Sequence, residues 1–299
     1  MNGTETIHVE EKTKNNSCIS TANRCYISNR HSSVEIFNNS LSVTCSDDKT
    51  IDIPPMHCLN VKYVKNLEFI DCYLAKFSVE RFASGYAIEK ILVKYTSESL
   101  NFESASFINM SSLKILEIEG LRTFDIFNLS FHNDSSLISL KIANYNFTSF
   151  QPTPLQQLKS LSQLQVNDGK LKILSEELFR GLYNLKTLDL SNNLIESVHP
   201  LAFRHFTLLE QLNLERNPIT SLPEDLWKGL SNLRILSISG KFSQLRSLFL
   251  KELHNLTEFR ASNFPLLGIE EDFFSHSINK KSCFLFQQWA ASSIQTFQK

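Results

Sequence analysis

One pattern recurs along this chain at an almost constant interval. It is clearest at Leu185, Leu188, Leu190 and Asn193, and again at Leu209, Leu212, Leu214 and Asn217, 24 positions later. Extended in both directions, the same phase begins at Val64, Ile88, Leu113, Leu137, Leu161, Leu185, Leu209, Leu233 and Leu256, with gaps of 24, 25, 24, 24, 24, 24, 24 and 23. The inner apolar pairs follow: Leu67 and Phe69, Ile91 and Val93, Leu116 and Ile118, Leu140 and Ile142, Leu164 and Val166, Leu236 and Ile238, Phe259 and Ala261. Alternation at period two is a strand signal. A fixed period of this length predicts one short strand per unit, each unit closing its core only against its neighbours.

The repeat reads L-x-x-L-x-L-x-x-N, the leucine-rich repeat signature. It predicts an α/β solenoid, a horseshoe with a parallel concave sheet. A second column supports it. Eighteen positions after most starts stands a large apolar residue: Phe82, Phe131, Leu155, Phe179, Phe203, Trp227 and Phe274, with Phe107 one place later in the 25-residue unit. These account for much of the 23 Phe and read as a convex spine, not an aromatic binding stripe. The ninth position, where Asn caps backbone groups on the turn, keeps Asn only at Asn193 and Asn217. Cys72, Thr96, Leu121, Tyr145, Gly169, Lys241 and Phe264 fill it elsewhere, so the early units are degenerate.

Five of the six cysteines, Cys18, Cys25, Cys45, Cys58 and Cys72, precede or open the array. A repeat stack needs a terminal cap, and this cluster reads as a disulfide cap. Metal binding or reduced thiols are the alternatives, against which stand the absence of any C-x2-C pair and spacings unlike a zinc site. Disulfides imply an oxidising compartment. Cys283 lies about 40 Å from that cap at the usual strand spacing, too far to join it within one chain, which points to a cysteine missing upstream or to a covalent dimer. Sequons at Asn2, Asn15, Asn38, Asn109, Asn128, Asn133, Asn146 and Asn255 also suit a secreted glycoprotein. Against secretion, the stretch from Met1 to Asn16 is polar and lacks the apolar core of a signal peptide. No apolar run is long enough to span a bilayer.

The organisation expected is therefore a disordered segment at 1–17, a cysteine-rich cap at 18–63, nine repeats at 64–274 and a tail at 275–299. In the tail, Phe286, Trp289, Ala290, Ile294 and Phe297 sit at roughly helical spacing. A short amphipathic helix closing the last repeat is one reading of this tail. An unnatural ending to a shortened gene is the other.

Residues between the leucines point outward on the concave face. The central column reads Glu68, Leu92, Glu117, Lys141, Gln165, Asp189, Asn213, Ser237 and Arg260, flanked by Lys94 and Tyr95 among others. These are the candidate ligand-binding residues, with Leu92 and Tyr95 as apolar anchors. Each taken singly also fits an ordinary solvated surface residue. The net charge of −1 and the lack of a basic stripe argue against nucleic acid. No catalytic motif, cofactor site or metal cluster is evident: with 8 Gly there is little material for a phosphate loop, and the eight His are scattered. The expected function is binding of a protein, without catalysis.

The stretch from Cys18 to Cys72 resembles the N-terminal cap of arthropod Toll receptors, through Val43-Thr44-Cys45, Met56-His57-Cys58 and Ile70-Asp71-Cys72-Tyr73-Leu74. The 24-residue units with a Phe spine are similar to Toll-type ectodomains, and the resemblance covers residues 18–274. It implies an extracellular or cell-surface module, of the kind found in receptors of innate immunity or development, that binds a Spätzle-like cystine-knot cytokine. The chain lacks the membrane helix, the signalling domain and the C-terminal cysteine cap of a complete receptor, so it looks like a fragment. A secreted binding protein or decoy, and an intracellular scaffold, remain the competing readings.

Overall fold

A computed structural model describes residues 6–7, 32–37, 39–45, 64–71, 77–78, 87–95, 105–107, 110–120, 129–131, 135–148, 155–241, 247–262, 283–287 and 294–298. Within them the nine units, numbered here from the one starting at Val64, each contribute a strand: Asn66–Ile70, Lys90–Lys94, Ile115–Glu119, Ser139–Ala143, Gln163–Asn167, Thr187–Asp189, Gln211–Ile219, Ile235–Gly240 and Glu258–Ser262. These pair in parallel, in sequence order, into one sheet of stacked coils. The pairing keeps equivalent positions opposite each other, as in Leu140 with Leu164 and Leu164 with Leu188. A one-residue slip would turn every leucine to solvent, so the repeat length and the register enforce each other. The inner leucines are fully buried while the residues between them are half-exposed.

Position 8, where the strand turns toward the convex side, takes a left-handed backbone in six of the eight described units, Tyr95 and Gly240 being the exceptions. Asp71, Gly120, Asn144, Asp168 and Asn192 take positive φ there, as Asn, Asp and Gly tolerate best. Arg216 does so as well, at φ 55°. Gly120 has a second reason: a Cβ there would lie 2.1 Å from the carbonyl oxygen of Tyr95.

Among the described residues the return segments are short strands, turns and 3-10 helices, the last at Leu155–Gln157 and Ser247–Leu250. The spine they bury is the predicted one. Phe107 stacks on Phe131 at 5.4 Å, and Phe203 on Trp227 at 6.2 Å. Phe249 meets Trp227 edge-on at 5.4 Å and extends the column by one residue that the spacing did not single out. Phe82 and Phe274 lie outside the described residues.

Position 9 shows how the units are tied. Asn217 Nδ2 donates to the carbonyls of Leu190, Leu214 and Glu215, and its Oδ1 accepts from the Ile195 amide. Asn193 repeats this one unit earlier, donating to Val166, Leu190 and Ser191 and accepting from Leu171. Repeat 5 has Gly169 in this place, and there the ring of Tyr145 fills the slot from repeat 4. A Cβ on Gly169 would stand 2.1 Å from Tyr145 Cζ. The Tyr145 hydroxyl reaches past it to donate to Asn193 Oδ1. The missing asparagine is thus bridged by a tyrosine from the unit before.

Both ends of the sheet carry antiparallel strands. Ser32–Phe37 and Ser40–Cys45 form a hairpin about Asn39, and the second strand leads in parallel into repeat 1. Thr6–Ile7 pairs with Val34 and Glu35, so part of the segment expected to be disordered joins the sheet. At the other end the tail departs from the helical expectation. Cys283–Gln287 pairs in parallel with Glu258–Ser262, and Ile294–Gln298 turns back antiparallel upon it. Short apolar runs do not separate the two periods well, and the open edge of repeat 9 offers backbone partners that a helix would leave unused. In register, Phe284 pairs with Phe259 and Phe286 with Ala261. They form a tenth rung, hidden in the sequence because Lys281 stands where its first leucine belongs.

Candidate concave binding face

The strand register turns the central column of the sequence into one row in space. Glu68 lies opposite Leu92, Leu92 opposite Glu117, Glu117 opposite Lys141, Lys141 opposite Gln165, Gln165 opposite Asp189, and Asp189 opposite Asn213. Ser237 and Arg260 complete it. Strand spacing of about 4.8 Å makes this a continuous strip, half-buried from Glu68 to Asn213, buried at Ser237 and exposed at Arg260. Lys94 stands in the adjoining row, opposite Ile70 and Glu119.

Five lysines of the first four repeats are paired with three glutamates. Glu89 accepts from Lys65 at 2.7 Å and from Lys114 at 3.2 Å. Lys90 donates to Glu117 at 2.7 Å, and Glu119 takes both Lys141 and, at 4.0 Å, Lys94. The hydrogen bonds from Lys65 and Lys114 hold the Glu89 carboxyl below its usual range. Hydrogen bonding to Glu119 pushes the Lys141 ammonium up. Repeat 5 carries no charge on its strand: Gln163, Gln165 and Asn167 face outward, and Ile138 beside them is 43% exposed.

Later repeats use the face differently. Asp189 Oδ1 accepts from the Ser191 amide at 2.9 Å, and Asn213 Oδ1 from the Glu215 amide at 3.0 Å. Both side chains therefore shape their own strands as well as lining the row. Glu215 is half-buried, and desolvation raises its carboxyl against the pull of Arg260 and Arg216. Ser237 and Ser239 are buried despite their outward positions.

Tyr95 is the clear departure. It is 5% exposed and packs in the core, and burial, with Asp71 nearby, pushes its phenol up. Counting explains the miss. Tyr95 stands at position 8, two residues past Val93 and four past Ile91, so alternation itself sends it to the inner face, opposite to Lys94. It cannot serve as an anchor for a partner. Leu92 does stay on the face, half-buried.

Of the cap cysteines, Cys18, Cys25, Cys58 and Cys72 lie outside the described residues. Cys45 ends its strand opposite Ser32. Cys283 is in the same sheet with nine strands between, in keeping with the distance expected of it. Asn146 and Asn255 are exposed, and the sequons at Asn38, Asn109, Asn128 and Asn133 fall outside the description. Among the described residues no group of three or more His, Cys, Asp or Glu is placed to hold a metal ion, and no helix is long and apolar enough to cross a membrane.

Comparison with known proteins agrees with this architecture. The leucine rich repeat family model matches residues 160–219 and 184–241. No curated protein matches in sequence. Among solved structures, the chain is similar to TLR13 in its complex with ssRNA13, with a TM-score of 0.55 and 16% identity over 78% of this chain and 40% of that one. It is also similar to the Drosophila Toll–Spatzle complex, with a TM-score of 0.51 and 14% identity over 86% of this chain and 44% of that one. The chain thus spans less than half the length of these relatives, and at such identities the likeness is one of fold.

Proposed function

We propose that this chain is the ligand-binding part of a Toll-like extracellular or cell-surface protein, a module without catalysis whose concave row receives a protein. The observation that carries this reading is the row itself. Seven outward residues chosen from sequence stand opposite one another across seven strands, on a face that the repeat keeps clear of its own core. A rigid sheet presenting polar side chains in fixed order is suited to recognising a large, shaped surface. Toll, solved with Spatzle, supplies the class of ligand by resemblance: a cystine-knot cytokine. Docking over the cap and the early strands fits the irregularity of those units.

Nucleic acid is the less favoured ligand, although one similar structure holds RNA. Binding of that kind depends on lysines and arginines neutralising phosphates. Here Lys65, Lys90, Lys94, Lys114 and Lys141 each face a carboxylate already. The cap disulfides, glycans at Asn146 and Asn255, and export from the cell belong to the same proposal.

The test is binding of a recombinant Spätzle-type cytokine dimer to the immobilised chain. Glu117→Lys is expected to weaken it about tenfold or more, while Lys228→Glu on the return side leaves it unchanged. Equal affinity for both variants, or salt-dependent binding of single-stranded RNA in place of the cytokine, would overturn the reading. Six thiols reacting in the denatured, unreduced protein would exclude the extracellular assignment.

A further inference from the structure

The later strands of the concave face hold acceptors that lack donors. Asn167 Oδ1 is buried and has no hydrogen-bond partner. Glu215 is half-buried, and its carboxylate forms no ion pair among the described residues. Asp189 accepts the Ser191 amide on Oδ1 at 2.9 Å and likewise meets no cation among them. The early repeats are the opposite case, with three glutamates holding five lysines.

These three acceptors surround one small residue. The Asp168 amide donates to the Ser191 carbonyl at 3.2 Å, and the Asn192 amide to the Glu215 carbonyl at 3.0 Å, so the register runs on past the strand ends. Asn167, Ser191 and Glu215 therefore stand side by side in the row that holds Lys94 and Glu119 earlier in the array, and Asp189 adjoins them in the central row. That row faces outward, yet Ser191 is only 8% exposed. Longer side chains on the neighbouring strands overhang it, and it floors a cleft. Its hydroxyl finds no hydrogen-bond partner among the described residues, although buried polar groups ordinarily have one. The two arginines that act on Glu215 are engaged elsewhere: Arg260 Nε donates to Glu258 at 2.6 Å, and Arg216 Nη1 to Asn192 at 3.5 Å. Their pull does not offset the desolvation that pushes the Glu215 carboxyl up.

We propose that the cleft over Ser191 receives an arginine side chain of the protein bound on the concave face. The inference rests on the reading of that face as a protein-binding surface and names what its later strands select. A guanidinium carries five N–H donors in a flat fork and no acceptor. It brings donors to Asp189, Glu215, Asn167 Oδ1 and the Ser191 hydroxyl at once. The acceptors lie on three strands about 4.8 Å apart, wider than the three donors of a lysine ammonium reach from a single nitrogen. A metal ion is the poorer occupant, because no third His, Cys, Asp or Glu joins the pair among the described residues.

The test titrates N-acetyl-arginine amide, and separately N-acetyl-lysine amide, into the isotope-labelled full chain while backbone amide resonances are followed. The arginine probe is expected to shift the Ser191, Asn192 and Glu215 amides saturably, and the lysine probe to do so far more weakly. Asp189→Asn combined with Glu215→Gln keeps the shape of the cleft and an oxygen for the Ser191 amide. It should fold with an unchanged or raised Tm and bind the arginine probe about tenfold or more weakly, as loss of hydrogen bonds to a charged group does. No saturable shift at these amides, an equal response to both probes, or undiminished binding by the double variant overturns the proposal. Neither probe involves the cytokine, so the two readings fail separately: cytokine binding without the arginine response removes this cleft alone, and the arginine response without cytokine binding keeps the cleft and removes the cytokine.

Discussion

Repeats 1 to 4 and repeats 5 to 8 stack the same strand in the same register, yet different bonds hold them. In the later units buried side chains tie the turn. Asn193 and Asn217 each satisfy several backbone groups away from water, and Tyr145 carries the ladder across Gly169. In the earlier units Cys72, Thr96 and Leu121 replace the asparagine, and exposed ion pairs such as Lys65–Glu89–Lys114 link neighbouring strands instead. A buried amide whose partners would otherwise go unsatisfied is worth more than a solvent-screened ion pair. The later half is therefore the scaffold. The earlier half is where the chain can afford variation.

The largest effect is expected at the ladder. Asn217→Ala leaves the Leu190 and Leu214 carbonyls and the Ile195 amide without that partner. It should cost about 2–4 kcal/mol by denaturant unfolding, since buried unsatisfied groups cost about 1–3 kcal/mol each. A loss under about 1 kcal/mol would remove the distinction between the halves. Next is Gly169→Ala, whose methyl overlaps the Tyr145 ring. It should cost about 1–3 kcal/mol, as overpacking does. In a Tyr145→Ala background the same change should be nearly neutral, and additivity of the two would show that the ring does not fill that slot.

Ion pairs of the early face should matter less. Glu117→Gln should cost at most about 1 kcal/mol, and less again at high salt. The pH response sharpens the contrast. Glu89 is held below its ordinary value of 4.5, so its contribution is present above that pH and fades as pH falls through the folded value. Glu215 has the opposite sign, because its raised folded value makes the ionised form a burden at neutral pH that acid relieves. Glu215→Gln should therefore raise the Tm at pH 7, with the gain vanishing below pH 4.5. A loss at pH 7 would mean that Arg260 and Arg216 outweigh desolvation. The smallest effect is at Arg216, an arginine in a left-handed conformation. Arg216→Asn should stabilise by about 0.5–1 kcal/mol, seen as a small rise in Tm.

Much of this architecture was legible because a 24-residue period admits few folds. The strand positions, the facing row and most of the spine follow from leucine spacing alone. Two features did not. A third lay open to the spacing: Tyr95 stands two residues past Val93, so alternation puts it on the inner side and not beside Lys94 on the outer face. The Tyr145–Gly169–Asn193 bridge joins residues 48 positions apart, and each looks like a defect when its unit is read singly. The Cys283–Gln287 rung lacked its first leucine, and the apolar spacing beyond it suited a helix equally well.

Native-state hydrogen exchange resolved by repeat tests the division of the molecule most directly. The amides of Gln163–Asn167, Gln211–Ile219 and Ile235–Gly240 should exchange together and most slowly, at rates reporting global unfolding. Those of Asn66–Ile70 and Lys90–Lys94 should exchange faster and respond to salt. Uniform protection along the array, or slower exchange in the first repeats than in the sixth to eighth, would contradict the account.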